Sequence, residues 1–151
     1  MPILIPNTLK SSFSNSSDWV LDNTGSFSNE GWNIDATVDS WAFTAAINST
    51  SGGSFAELTN GDPFAQSTWP MNVVYTMTTT NPINVYDSIG SSNATLNYLE
   101  YGARFNDLQE VQVSTDGINF TTVADNLSYA ILSTSGGSSY PNPTLRTVNI
   151  G

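Results

Sequence analysis

Glu57, Asn60 and Asp62 crowd one short stretch, Glu57-Leu58-Thr59-Asn60-Gly61-Asp62-Pro63. Oxygen donors this close together suit calcium, a hard cation that takes carboxylates and carbonyls. The spacing does not follow the helix–loop–helix calcium loop, so further oxygens would have to come from a distant strand. The same residues also make an Asx-type turn with no ion. Zinc is not expected, because the chain has no His and no Cys, its characteristic ligands.

A second candidate is Tyr101-Gly102-Ala103-Arg104-Phe105-Asn106-Asp107. Arg104 is one of only three basic residues and stands between aromatics, ahead of a carboxylate. A guanidinium so placed can grip a ligand carboxylate or stack on a ring. Its alternative is structural: paired with Asp107 or another acid, it fixes a loop against a sheet. Trp69, in Gln66-Ser67-Thr68-Trp69-Pro70, reads as a loop aromatic and is the candidate for a ligand or interface contact. Trp19, Trp32 and Trp41 sit in strand patterns, where packing explains them more simply than a sugar platform. The Asn-x-Ser/Thr triplets at Asn15, Asn48, Asn93, Asn119 and Asn126 are expected by chance in a chain so rich in these residues.

Catalysis finds no constellation. Serines abound without a His base, and no Gly-x-Ser-x-Gly elbow joins a strand to a helix. Glycosidases work with two carboxylates, but nothing in the spacing singles out a pair. The expectation is a protein that is not an enzyme and has no cofactor other than a candidate calcium.

The charge narrows the partners. Thirteen acids face three bases, a net charge of −10. A phosphate-tracking surface needs clustered Lys and Arg, which Lys10, Arg104 and Arg146 cannot make. Nucleic acid and anionic membranes are therefore excluded as expected partners. No apolar run reaches spanning length, so no membrane insertion is expected. A basic protein face, or a salty exterior, fits better.

Short strands must position these groups. Only 11% of residues are charged, and the polar remainder is rich in Ser, Thr, Asn and Gly. Ser, Thr and Asn compete with helical hydrogen bonds, so helices are disfavoured. Alternation predicts strands over residues 18–22, 31–35, 40–47, 72–80, 94–101, 127–132 and 144–150, with brief apolar pieces at 3–5, 54–58 and 83–86. In the 72–80 strand Val73, Tyr75, Met77 and Thr79 share one face. Val111 and Val113 alternate with Gln112 and Ser114, Asp116-Gly117 turns the chain, and Phe120 and Val123 return toward the same layer. One helical turn at 106–109 is the longest helical expectation. Many short strands with frequent turn signals predict an all-β protein, an antiparallel β-sandwich of jelly-roll type. The division expected is an N-terminal arm or edge strand over 1–12 and one jelly-roll domain over 13–151.

Residues from about 72 to 126 resemble a MAM-like or adhesin-type jelly-roll module of secreted and surface bacterial proteins. The matching runs are Tyr75-Thr76-Met77-Thr78-Thr79 leading to Pro82-Ile83, then Tyr101 to Asp107, then Val111-Gln112-Val113-Ser114-Thr115-Asp116-Gly117. The resemblance implies a β-sandwich for adhesion, sugar binding or assembly, sometimes with calcium. Such modules usually follow a signal peptide, and the Met1-Pro2-Ile3-Leu4-Ile5-Pro6 start lacks its basic and apolar regions. The expectation is then a fragment, or a protein released by lysis. The lead reading is a phage virion component, a capsid decoration protein or a tail or fibre module, acting as a homo-oligomer or on a capsid or tail protein. The alternative is a carbohydrate-binding or adhesive module, extracellular or at the cell surface, with a glycan as ligand.

Overall fold

The computed structural model describes residues 13–24, 30–37, 53–59, 73–85, 94–101, 104, 107–131 and 143–151. Among these residues the protein is all-β. Eight strands form four antiparallel two-stranded sheets, and the helical content is a short 3₁₀ helix, Ser16–Asp18. The chain clusters into two compact units, one within Leu9–Ile83 and one within Asn84–Gly151.

In the first unit, β1 (Trp19–Asp22) pairs with β4 (Thr76–Thr79), and β2 (Gly31–Asp35) pairs with β3 (Phe55–Thr59). The alternation expected around β4 is observed. Val73, Tyr75, Met77 and Thr79 are half-buried, while Val74, Thr76, Thr78 and Thr80 are exposed. That is the pleat of a strand with one wet face. Asn15 starts the 3₁₀ helix, its side-chain oxygen accepting from the Ser17 amide at 3.3 Å. Thr80 then ties the end of β4 to this turn, its amide donating to the Asp18 carbonyl at 2.8 Å and its hydroxyl to the Ser17 carbonyl at 2.7 Å. Phe13 stacks on Trp19, with ring centroids 5.3 Å apart.

β1 is joined to β2 by a side chain. The Asn23 amide copies a peptide edge: its oxygen accepts from the Trp32 amide at 2.8 Å and its nitrogen donates to the Trp32 carbonyl at 3.0 Å. Gly31, at φ +103, is what lets Asn23 come so close. Trp19 and Trp32 are half-buried, with their indole nitrogens shielded from solvent.

In the second unit, β5 (Thr95–Glu100) pairs with β8 (Thr144–Asn149), and β6 (Glu110–Val113) pairs with β7 (Thr121–Asp125). Leu96 faces Val148 and Tyr98 faces Arg146. Val148, at 5% exposure, is the buried apolar side chain of the described residues. The β6–β7 ladder shifts register between Val111 and Gln112, which leaves Val123 as the extra residue of a bulge.

Three local expectations differ. Residues 83–85 form no strand and are exposed, because Pro82 withdraws an amide just before them. Residues 127–131 form no strand, and 127–129 turn, because Asp125 and Asn126 turn their polar groups on the chain that follows. Residues 107–109 form no helical turn. The strands expected at 3–5 and 40–47, and the turn at Asn60-Gly61-Asp62-Pro63, lie outside the described residues, as does the 1–12 arm.

Candidate functional site

Arg104 and Arg146, two of the chain's three basic residues, converge on one turn at residues 125–129. Arg104 donates from Nη1 to the carbonyls of Leu127, at 3.0 Å, and Tyr129, at 2.8 Å. Arg146, in the middle of β8, donates from Nη1 to the Tyr129 hydroxyl at 2.7 Å and to Glu100 Oε2 at 3.0 Å. Its Nη2 donates to the Asp125 carbonyl at 3.1 Å, and its guanidinium lies 5.0 Å from the Tyr129 ring centroid. Both guanidinium groups donate to backbone carbonyls at this turn, Arg104 to Leu127 and Tyr129 and Arg146 to Asp125.

Asn126 holds the same turn from inside. It is 1% exposed, the most deeply buried side chain described. Its oxygen accepts from the Gln109 amide at 3.1 Å, and its nitrogen donates to the Asp107 carbonyl at 3.3 Å. The Asn126 amide donates to the Gln109 carbonyl at 3.1 Å. Asp107 accepts from the Gln109 side chain at 2.6 Å. The structure therefore ties both sequence candidates to one turn, Arg104 through the Leu127 and Tyr129 carbonyls and Asp107 through Asn126.

Sequence reasoning did not single out Asn126 or Arg146. Asn126 looked like a chance glycosylation triplet, yet its amide is consumed by two backbone groups. The signal was Asp125-Asn126 directly after a strand, a pair that favours Asx turns. Arg146 alternates with Leu145 and Thr147 in a half-buried strand, and an arginine on the inner face there calls for a carboxylate across the ladder.

Glu57 stands on β3 opposite Asn33, and Asn33 donates to Asp35 at 2.7 Å. Asn60, Asp62 and Trp69 lie outside the described residues. Among the described residues no three acidic side chains gather where they could hold a metal ion. The hairpin acid Asp116 is held well below the usual carboxylate range by hydrogen bonds, first from the Asn119 amide, then from the Asn119 side chain, the Ile118 amide and Ser114.

Comparison with known protein families, with curated proteins and with solved structures finds no match. The residues themselves carry the reading.

The Glu100–Arg146 pair makes a first prediction. The two side chains are only 17% and 16% exposed, so their pairing matters. Arg146→Met leaves the Glu100 carboxylate shielded and without its cation, which is expected to cost about 2 kcal/mol in urea unfolding. Adding Glu100→Gln recovers part of that loss. Tyr98 reports the same change. Its phenol titrates above its ordinary 10.0 because of burial first and the Glu100 charge second, while Arg146 pulls the other way. Arg146→Met is therefore expected to raise it further in ultraviolet-difference titration. A raised phenol pKa stabilises the fold below pH ~10 and is lost as pH climbs through the folded value.

Proposed function

We propose that this protein is a non-catalytic β-sandwich of jelly-roll type, MAM-like in its pattern, that works by assembly in a phage virion as a capsid decoration protein or a tail or fibre module. The observation that carries the reading is the distribution of apolar side chains. Val20, Val74, Leu108, Leu127, Ile131 and Leu145 are all at least half exposed, against one buried aliphatic among the described residues. Scattered exposed leucines are ordinary, but apolar exposure this general with so little burial marks surface meant for contact.

The acids support a non-catalytic role. Asp22 accepts from Thr24, Asp35 from Thr37, Glu30 from Tyr75, Asp125 from Leu127 and Glu110 from Thr122. These carboxylates hold turns and ladders in shape. The net charge of −10 keeps copies soluble and favours a basic partner face.

Sedimentation of the purified full chain, alone and mixed with phage shells and tails, tests the reading. The expected result is a defined oligomer, or a chain that co-sediments with shells or tails. A monomer with no affinity for either overturns it. So does glycan-array binding abolished by Trp69→Ala, which favours the adhesive alternative, or polysaccharide hydrolysis lost on one Asp or Glu change.

A further inference from the structure

Asp116-Gly117, in the loop between β6 and β7, joins two residue types whose peptide bond rearranges readily in water. The Gly117 nitrogen attacks Asp116 Cγ and an N–Cγ bond forms. The carboxyl hydroxyl leaves as water, taking the amide proton with it. Water then reopens the cyclic imide. Cleavage of the new N–Cγ bond restores Asp116. Cleavage of the original peptide C–N bond leaves the chain running through the side chain, as isoaspartate. Glycine favours the attack, since no Cβ crowds its nitrogen. Burial offers no protection here. Both residues are exposed, and a Cβ at Gly117 would meet nothing within 4 Å.

The attack has three requirements, and the loop opposes each. The carboxyl must be protonated, because a carboxylate has no hydroxyl to lose. Cγ must turn onto the nitrogen, and the nitrogen must be free to approach. Asp116 Oδ1 accepts from the amides of Ile118 at 2.9 Å and Asn119 at 2.8 Å, and from Ser114 Oγ at 2.9 Å. Its Oδ2 accepts from the Asn119 side chain at 2.7 Å. Donors to both oxygens favour the ionised form. Turning Cγ onto the nitrogen would break charge-assisted bonds at both oxygens. The nitrogen is held separately: the Gly117 amide donates to Ser114 Oγ at 2.9 Å, and the Asp116 amide to the same oxygen at 3.3 Å. Gly117 stands at φ +72 in this turn, where the extra backbone atom of an isoaspartate would undo the geometry. We infer that Ser114 and Asn119 form a chemical lock that keeps Asp116-Gly117 a latent isoaspartate site, unconverted while the loop holds its shape. This inference goes beyond the assembly reading and does not depend on it.

Ageing of the full chain in warm neutral buffer tests the lock, with the same chain unfolded in guanidinium chloride as the reference. Peptide mapping locates isoaspartate at residue 116, and methyl transfer by an isoaspartyl methyltransferase counts it. The folded chain is expected to convert roughly tenfold or more slowly than the unfolded one, since it must first break charge-assisted hydrogen bonds. Asn119→Ala and Ser114→Ala each recover part of the unfolded rate, and the pair recovers most of it. Ser114→Thr keeps the hydroxyl and stays slow. Val123→Ala loosens the β6–β7 hairpin without touching the lock and accelerates conversion less than either alanine variant. Exchange protection of the β6–β7 amides shows that the hairpin of the lock variants still forms. A folded chain that converts as fast as the unfolded one overturns the lock, and so do Ser114→Ala and Asn119→Ala variants no faster than wild type. Equal acceleration by Val123→Ala, or conversion in the lock variants only where the exchange protection is lost, also overturns it and assigns the protection to the hairpin as a whole.

Discussion

Gly31→Ala is expected to destabilise the unit within Leu9–Ile83 by about 3 kcal/mol. Two effects add. At φ +103 the backbone of Gly31 lies where side chains are strained. A Cβ there would also meet Asn23, with its Cβ at 2.8 Å and its amide group closer still. Asn23 cannot simply swing aside, because its amide is held by both polar groups of Trp32. The substitution therefore breaks the link between β1 and β2 as well as straining β2. Asn23→Ala alone loses only the two hydrogen bonds, at about 1–2 kcal/mol. The double variant is expected to cost less than the sum, since Gly31→Ala has already displaced Asn23. Trp19, Trp32, Trp41 and Trp69 all fall within this unit, so tryptophan fluorescence in a urea titration reads it directly. Additive costs would show that the Asn23 contact is not what makes Gly31 necessary.

The strands were legible because alternation is a local signal. Gly31 to Asp35 was read at its observed limits, and the half-buried row of Val73, Tyr75, Met77 and Thr79 appeared on the face expected. Asp116-Gly117 was read as a turn, and Gly117 has the positive φ that such a turn needs. The connection spans seven residues because Ser114 and Asn119 extend the Asp116 network on both sides. Pairing was legible only for the hairpin of β6 and β7, where the turn lies between the two strands. β1 pairs with β4 and β5 with β8 across long stretches of chain, and no side-chain period encodes which strand lies beside which. The site was half legible for the same reason. Arg104 drew attention by scarcity, but its partners Leu127 and Tyr129 offer backbone carbonyls, which have no residue-type signature. Asn126 was missed because the Asp125-Asn126 pair signals a turn but not burial, and an asparagine in a polar-rich chain carries no mark of being inside.

Asn126→Ala follows from that burial and is expected to cost about 3 kcal/mol. The substitution strips hydrogen-bond partners from the Gln109 amide and the Asp107 carbonyl, both next to a side chain that water does not reach. Each group left without a partner carries its own desolvation penalty, and the vacated volume adds to it. Asn126→Asp separates shape from hydrogen bonding. It fills the same space and still accepts from Gln109, but it sets an oxygen against the Asp107 carbonyl and buries a charge. Burial favours the neutral form, so the introduced carboxyl has a folded pKa above its unfolded value near ~3.9. Its stabilising neutral form, able to donate to Asp107, is complete below that unfolded value and is lost as pH rises through the folded one. Asn126→Asp is therefore expected to unfold more easily at neutral pH and to recover toward wild type in acid, whereas the Asn126→Ala deficit lacks this carboxyl-linked recovery. Urea unfolding followed by near-ultraviolet tyrosine signals measures both, and faster exchange of the Gln109 amide locates the damage. Equal behaviour of the two variants across pH would mean that Asn126 serves the turn by filling space, and that the Asp107 and Gln109 hydrogen bonds contribute nothing beyond it.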